Sequence, residues 1–243
     1  WAEDKPVIEI ASVPRTHGMH AVTLTLNGGI AETLPLLAPA DTSGPLWTDA
    51  ARDALRGAFE AVGWGPARVF ETLRDIAPSE TVITADSGAH RILLSQVWRC
   101  HTPRSFLQST ALCTMACSVP IAAGVKLGAP ETPVLAFVGD AGLEMGLGEL
   151  ATLRDLGLPL VIVVLVDESL ALIEMKQRGS QRGNLGVDFG ATDWPAVAAA
   201  MGGAGVWIDD ETTLRQEAAA ALDRNTFTIL ACRIGSRAYD GTF

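Results

Sequence analysis

Gly139-Asp140-Ala141-Gly142 and Asp167 are the residues of this sequence whose types and spacing are best suited to chemistry. Asp140 follows an apolar run at 134–138, and Asp167, 27 residues later, follows seven apolar residues at 160–166. Continuous apolar runs of this length are buried parallel strands, and in an open parallel sheet ligands sit outside the carboxyl ends of the strands. Two carboxylates delivered there can share one divalent cation, Mg²⁺ or Ca²⁺, which takes oxygen ligands. The small residues after Asp140 let backbone N–H groups approach a phosphate, with help from the amino end of a helix beginning near Glu144. Each feature alone has a plainer use: the first as a tight turn with a capping Asp, the second as the cap of a helix over 170–177. The glycines do not make a dinucleotide site, because their order is wrong and no ribose-binding acid follows at the required spacing.

A third cluster, Asp86-Ser87-Gly88-Ala89-His90, also follows a short β-branched run, at 81–85. His90 there either donates a hydrogen bond to a phosphate oxygen or packs and caps, as most histidines do. In the run Ser109-Thr110-Ala111-Leu112-Cys113-Thr114-Met115-Ala116, Met115 by itself reads as core filler. Cys100, Cys113, Cys117 and Cys232 lack the tight Cys-x-x-Cys pairing of a structural zinc site and are expected to be buried free thiols.

The elements that must position these groups alternate. Strands are predicted at 7–10, 21–26, 81–85, 134–138, 160–166, 205–208 and 227–233. Helices are predicted at 30–37, 48–62, 66–76, 91–98, 118–127, 144–156, 170–177, from Asp193-Trp194-Pro195 onward, and at 210–224. Alternation of this kind means a parallel sheet. The chain opens at Trp1 without a methionine, and its first forty residues, two strands and one helix, cannot enclose a core. A proline- and small-residue-rich stretch at 37–45 follows like an interdomain linker.

Composition narrows the class. The 243 residues carry a net charge of −10, which gives no electrostatic footprint for nucleic acid or an anionic membrane. Hydrophobic residues make up 48% and mean hydropathy is +0.26, so some apolar surface is expected to face another subunit. No apolar run reaches the length of a membrane span, and a cytoplasmic protein is expected.

In order and spacing, these segments resemble the pyrophosphate-binding domain of thiamine-diphosphate-dependent decarboxylases and carboligases, the acetolactate synthase and pyruvate decarboxylase superfamily. Gly139-Asp140-Ala141 with Asp167 is similar to the family's Gly-Asp-Gly followed by Asn. Asp86-Ser87-Gly88-Ala89-His90 resembles its Gly-Gln-His loop. Pro103-Arg104-Ser105 with 109–115 resembles its Pro-Arg and Ser-Gly-Gly-Leu-Gly-Thr-Met-Gly run. Val119-Pro120-Ile121-Ala122-Ala123-Gly124 and Glu149-Leu150-Ala151-Thr152 are similar to its Leu-Pro-Ala-Ala-Ile-Gly and Glu-Leu-Ala-Thr helices.

The resemblance implies an α/β fold, an open parallel sheet with helices on both faces, the thiamine-diphosphate-binding fold. It implies thiamine diphosphate and Mg²⁺ as cofactors, the metal held by Asp140, Asp167 and the Ser169 carbonyl. Ser87, Gly88, Ala89, His90, Ala141 and Gly142 would meet the diphosphate. The Cys113 carbonyl would meet the aminopyrimidine, Met115 would bend the cofactor, and Leu170 and Leu172 would flank the diphosphate end and thiazolium. Residues 1–40 would be a remnant of the family's central domain, 41–57 a linker and helix start, and 58–243 the pyrophosphate-binding domain. The activating glutamate would come from a pyrimidine-binding domain of the same precursor or a second subunit, in a homo-oligomer. The implied function is the carboxyl-terminal part of a lyase or transferase acting on 2-keto acids, inactive alone. The alternatives are a non-catalytic fragment or subunit and a flavodoxin-like Mg²⁺ or phosphate module. Asp167 stands where the family has Asn, and Ala141, Cys113 and Ala116 stand where it has glycine.

Overall fold

The computed structural model describes residues 4–14, 18, 21–37, 47–60 and 63–242, and divides into two compact units, Trp1–Ala51 and Arg52–Phe243. Most of the predicted linker at 37–45, the amino-terminal Trp1 and the predicted helix end at Val62 lie outside the described residues. In the first unit, β1 (Ile8–Ala11) and β2 (Leu24–Asn27) pair in parallel, from Ile8 opposite Leu24 to Ala11 opposite Asn27, and α1 (Ile30–Leu37) follows. Among its described hydrophobic residues only Ala11 is buried, while Ile30, Leu34, Leu36 and Leu37 lie exposed. A helix, α2 (Trp47–Glu60), spans the division.

The second unit is a six-stranded sheet, wholly parallel. Its strands are β3 (Val82–Ala85), β4 (Phe106–Gln108), β5 (Val134–Gly139), β6 (Val161–Val166), β7 (Ala204–Ile208) and β8 (Thr228–Arg233), in the order β4-β3-β5-β6-β8-β7. Every residue of β6 is buried because both faces of the sheet are covered. Alternate residues divide between two cores: Leu135, Phe137, Val161, Val163 and Leu165 face one, and Val134, Ala136, Val138, Ile162 and Val164 face the other. The first core is closed by α3 (Pro66–Ile76), α4 (Ala89–Val97) and α10 (Glu211–Leu222), with Phe137 set edge-on to Phe70 and Trp98 at centroid distances of 5.4 and 5.5 Å. The second is closed by α5 (Ser118–Gly128), α7 (Gly148–Asp155) and α9 (Trp194–Ala200), with Trp194 fully enclosed.

Three elements depart from expectation. Strand β4, three residues at the sheet edge, was not foreseen, because so short a segment carries no periodicity. The helix expected over 144–156 is two helices, α6 (Asp140–Met145) and α7, broken at Gly146, where an added Cβ would lie 3.3 Å from that of Ala116. Helix α4 begins at Ala89, two residues before its predicted start, which brings His90 into its first turn. The thiols also differ: all four are free, but only Cys232 is buried, while Cys100 and Cys113 are exposed.

Candidate functional site

The chain leaves β3 for β4 on one side of the sheet and returns to β5 on the other, so the switch point of the topology lies between β3 and β5. Crevices at the carboxyl ends of strands open at such points. Three acids stand there, one after each of three neighbouring strands: Asp86 after β3, Asp140 after β5 and Asp167 after β6.

Asp140 is buried and built into the backbone around it. Its Oδ1 accepts from the Ala141 N–H at 2.9 Å, and its Oδ2 from the N–H groups of Glu168 at 2.7 Å and Asp167 at 3.1 Å. Glu168 takes a left-handed φ of 56° there, a conformation disfavoured for a residue with a Cβ. Among the described residues Asp167 accepts one long bond, from the Ser169 N–H at 3.4 Å. Ser169 bridges antiparallel to Asp188, and its hydroxyl donates to Asp188 Oδ1 at 2.8 Å. Its carbonyl oxygen receives no hydrogen bond among the described residues.

Asp86 is arranged differently. Fully buried, it meets His90 Nε2 through Oδ1 at 2.8 Å and accepts the Ala116 N–H through Oδ2 at 2.7 Å. Gly142 packs so closely that an added Cβ would collide with the Asp86 carboxylate, and one on Gly88 would fall 2.6 Å from the His90 ring. These two positions therefore require glycine by close approach. With Nε2 held by Asp86, His90 can offer a second N–H, at Nδ1, only as the imidazolium.

One cleft gathers nearly all the residues singled out from the sequence. Ser87, Gly88, Ala89, His90, Met115, Asp140, Ala141, Gly142, Asp167, Ser169, Leu170 and Leu172 line it. Cys113 does not; it stands exposed on the loop before α5. Cys113 and Ala116 hold φ of 49° and 65°, so the loop keeps a glycine-like backbone where the resemblance expects glycine, whereas Ala141 lies in a helix. Two of the expected phosphate donors are already engaged: the Ser87 N–H donates to the Thr114 carbonyl at 3.2 Å, and the Ala141 N–H to Asp140. The first-turn N–H groups of α4 point out of the helix without intrahelical acceptors, as helix geometry dictates. Sequence reasoning missed Leu165, Ala171, Ile173 and Tyr239 among the lining residues. Tyr239 lies 73 residues after the end of β6 and carried no motif.

The two acids at the ends of β5 and β6 are electrostatically unusual. Burial raises both carboxyls above their ordinary range; for Asp167 the further cause is the charge of Asp140, and its pKa is pushed up to about 8. Two acids that cannot both ionise cheaply either hold a proton between them or take a positive charge. Among the described residues no group of three or more His, Cys, Asp or Glu side chains is placed to hold a metal ion by itself. The donors are thus two carboxylates and a free carbonyl. Such a hard-oxygen set suits Mg²⁺, which proteins bind through one or two carboxylates completed by phosphate oxygens and water.

Comparison with known proteins identifies the family of this fold. Residues 86–232 match the family model described as thiamine pyrophosphate enzyme, C-terminal TPP binding domain. The acetolactate synthase large subunit of Parasynechococcus marenigrum (strain WH8102) is 31% identical over 168 residues, 68% of this chain and 27% of that protein. The acetolactate synthase isozyme 3 large subunit of Escherichia coli (strain K12) is 28% identical over 161 residues, 65% of this chain and 28% of that protein. The chain therefore spans less than a third of these relatives. An X-ray structure of a Mycobacterium smegmatis protein assigned as a thiamin diphosphate-dependent enzyme superposes with a TM-score of 0.72 at 20% identity, over 97% of this chain and 44% of that one, and is a likeness of fold.

Proposed function

Because the chain belongs to the thiamine pyrophosphate enzymes, through their C-terminal TPP binding domain, we propose that its cleft anchors Mg²⁺ and the diphosphate of thiamine diphosphate for a carboligase or decarboxylase of acetolactate-synthase type acting on 2-keto acids. The observation that carries this reading is the Asp140–Asp167 pair: two acids raised by burial, Asp167 further by the charge of Asp140, at the ends of adjacent strands beside a Ser169 carbonyl that receives no hydrogen bond among the described residues. Asp140, Asp167 and the Ser169 carbonyl would hold the metal. The N–H groups of Gly88, Ala89, His90 and Gly142 would face the phosphates, and Met115, Leu170 and Leu172 would give the apolar wall. When bound, the cofactor supplies a carbon nucleophile that adds to the carbonyl of a 2-keto acid and allows carbon dioxide to leave. This chain's residues bind and orient it and keep water from the buried acids.

The activating glutamate belongs to a pyrimidine-binding domain, of the same polypeptide or a second subunit, and residues 1–40 are the remnant of a central domain. Among the described residues no helix is long and apolar enough to cross a membrane, and the four free thiols suit the cytoplasm. Membership of the family leaves the flavodoxin-like alternative without support. The test is calorimetric titration of the chain with thiamine diphosphate in Mg²⁺ and again in EDTA. Binding that requires the metal, and is lost in Asp140→Ala, is expected. Absence of heat in both would favour a non-catalytic module, and an unchanged affinity of Asp140→Ala would overturn the metal assignment.

A further inference from the structure

Beyond β8 the chain turns back toward the acids. The Ile234 N–H donates to the Val166 carbonyl at 3.1 Å, beside the end of β6, and Asp240 is held by Arg178 of α8 (Ala171–Gly179) at 2.5 Å. Between these two ties sits Tyr239. Its side chain is 2% exposed and joins the first core, yet it lines the cofactor cleft and also a second, more polar cleft bordered by Glu168, Glu174, Asp188 and Arg237. Asp167 and Ser169 line both clefts as well, so Tyr239 stands at the partition next to the metal corner. Its hydroxyl makes no hydrogen bond among the described residues and is not sealed in the core with the enclosed unpartnered atoms, so it is open to the clefts that Tyr239 lines.

The available acceptors differ. Asp140 already receives three N–H groups, whereas Asp167 receives one, at 3.4 Å. Resting on the cofactor reading above, we propose that Tyr239 is a positioning residue: with cation and diphosphate in the cleft, its hydroxyl donates a hydrogen bond to the Asp167 carboxylate and fixes that ligand. The segment after β8 then closes one side of the site. A phenol is protonated at neutral pH and so can donate.

Tyr239 is the only tyrosine of the chain, so one labelled nucleus reports on it without assignment. The full 243-residue chain, carrying ¹³Cζ-tyrosine, would be titrated with Mg²⁺ and thiamine diphosphate, and Tyr239→Phe compared by calorimetry. We expect the single resonance to move on saturation and Tyr239→Phe to bind the pair about tenfold more weakly. Without cofactor the variant should melt within about 2 °C of the native chain, because the bond is made only in the loaded state. A resonance that stays in place, or an affinity unchanged in Tyr239→Phe, overturns the role of Tyr239. A cofactor-free destabilisation equal to the binding loss would make it a packing residue and overturn it too. Failure of the native chain to bind at all would instead overturn the cofactor reading itself.

Discussion

Asp86 and Asp167 leave the core in the same way, each one residue past the end of a buried parallel strand, and then differ in what receives them. Asp86 meets a histidine and a backbone N–H inside the protein. Asp167 meets one distant N–H and the charge of a second acid. The first is completed by the fold; the second, half-buried, keeps acceptor capacity open to the cleft. A carboxylate at a strand end is therefore a candidate ligand when its acceptor capacity is unfilled, and burial alone does not make it one.

The sharpest way to break this contrast is to remove each acid. Asp86→Ala strands the His90 ring and the Ala116 N–H in the core, and should lower the stability of the chain by about 3 kcal/mol in urea unfolding, with or without Mg²⁺. A loss confined to Mg²⁺-containing samples would reverse the two roles. Asp167→Asn should act with opposite sign. It removes the like-charge conflict, and the metal-free chain should gain on the order of 2 kcal/mol at pH 8.

The pH dependence follows from the same pair. With its folded pKa raised from 3.8 to about 8, Asp167 makes the folded chain bind more protons than the unfolded chain between those values. Metal-free stability should therefore fall as pH rises through that window, and Mg²⁺ with thiamine diphosphate should flatten the slope; thermal melts from pH 5 to 8.5 would show it. The smallest effect concerns the loop above Asp86. Ala116 holds a left-handed φ of 65°, and Ala116→Gly should gain about 1 kcal/mol, since glycine adopts that conformation without a Cβ clash. A loss would mean that the Ala116 methyl, close to Gly146, contributes packing that outweighs the strain.

How legible the site was in the sequence follows the same physics. Asp140 and Asp167 could be found because each ends a continuous apolar run, the mark of a strand covered on both faces. The sheet and its helices followed from the alternation of those runs with amphipathic segments. Tyr239 could not be found, because it reaches the cleft through a turn back from β8 that no local pattern announces. Asp86 was noticed only as part of a loop, since its pairing with Ala116 spans 30 residues. The break at Gly146 was hidden because its close approach to Ala116 is a contact between distant segments, which periodicity does not encode.

On the proposed reading, Asp167 carries a proton that a bound cation displaces. Calorimetry at pH 7 in two buffers of different ionisation enthalpy, comparing the native chain with Asp167→Asn as Mg²⁺ and thiamine diphosphate bind, counts that proton directly. The native chain should release about one proton more than Asp167→Asn does. Equal release from the two proteins, with both binding the cofactor, would contradict the account.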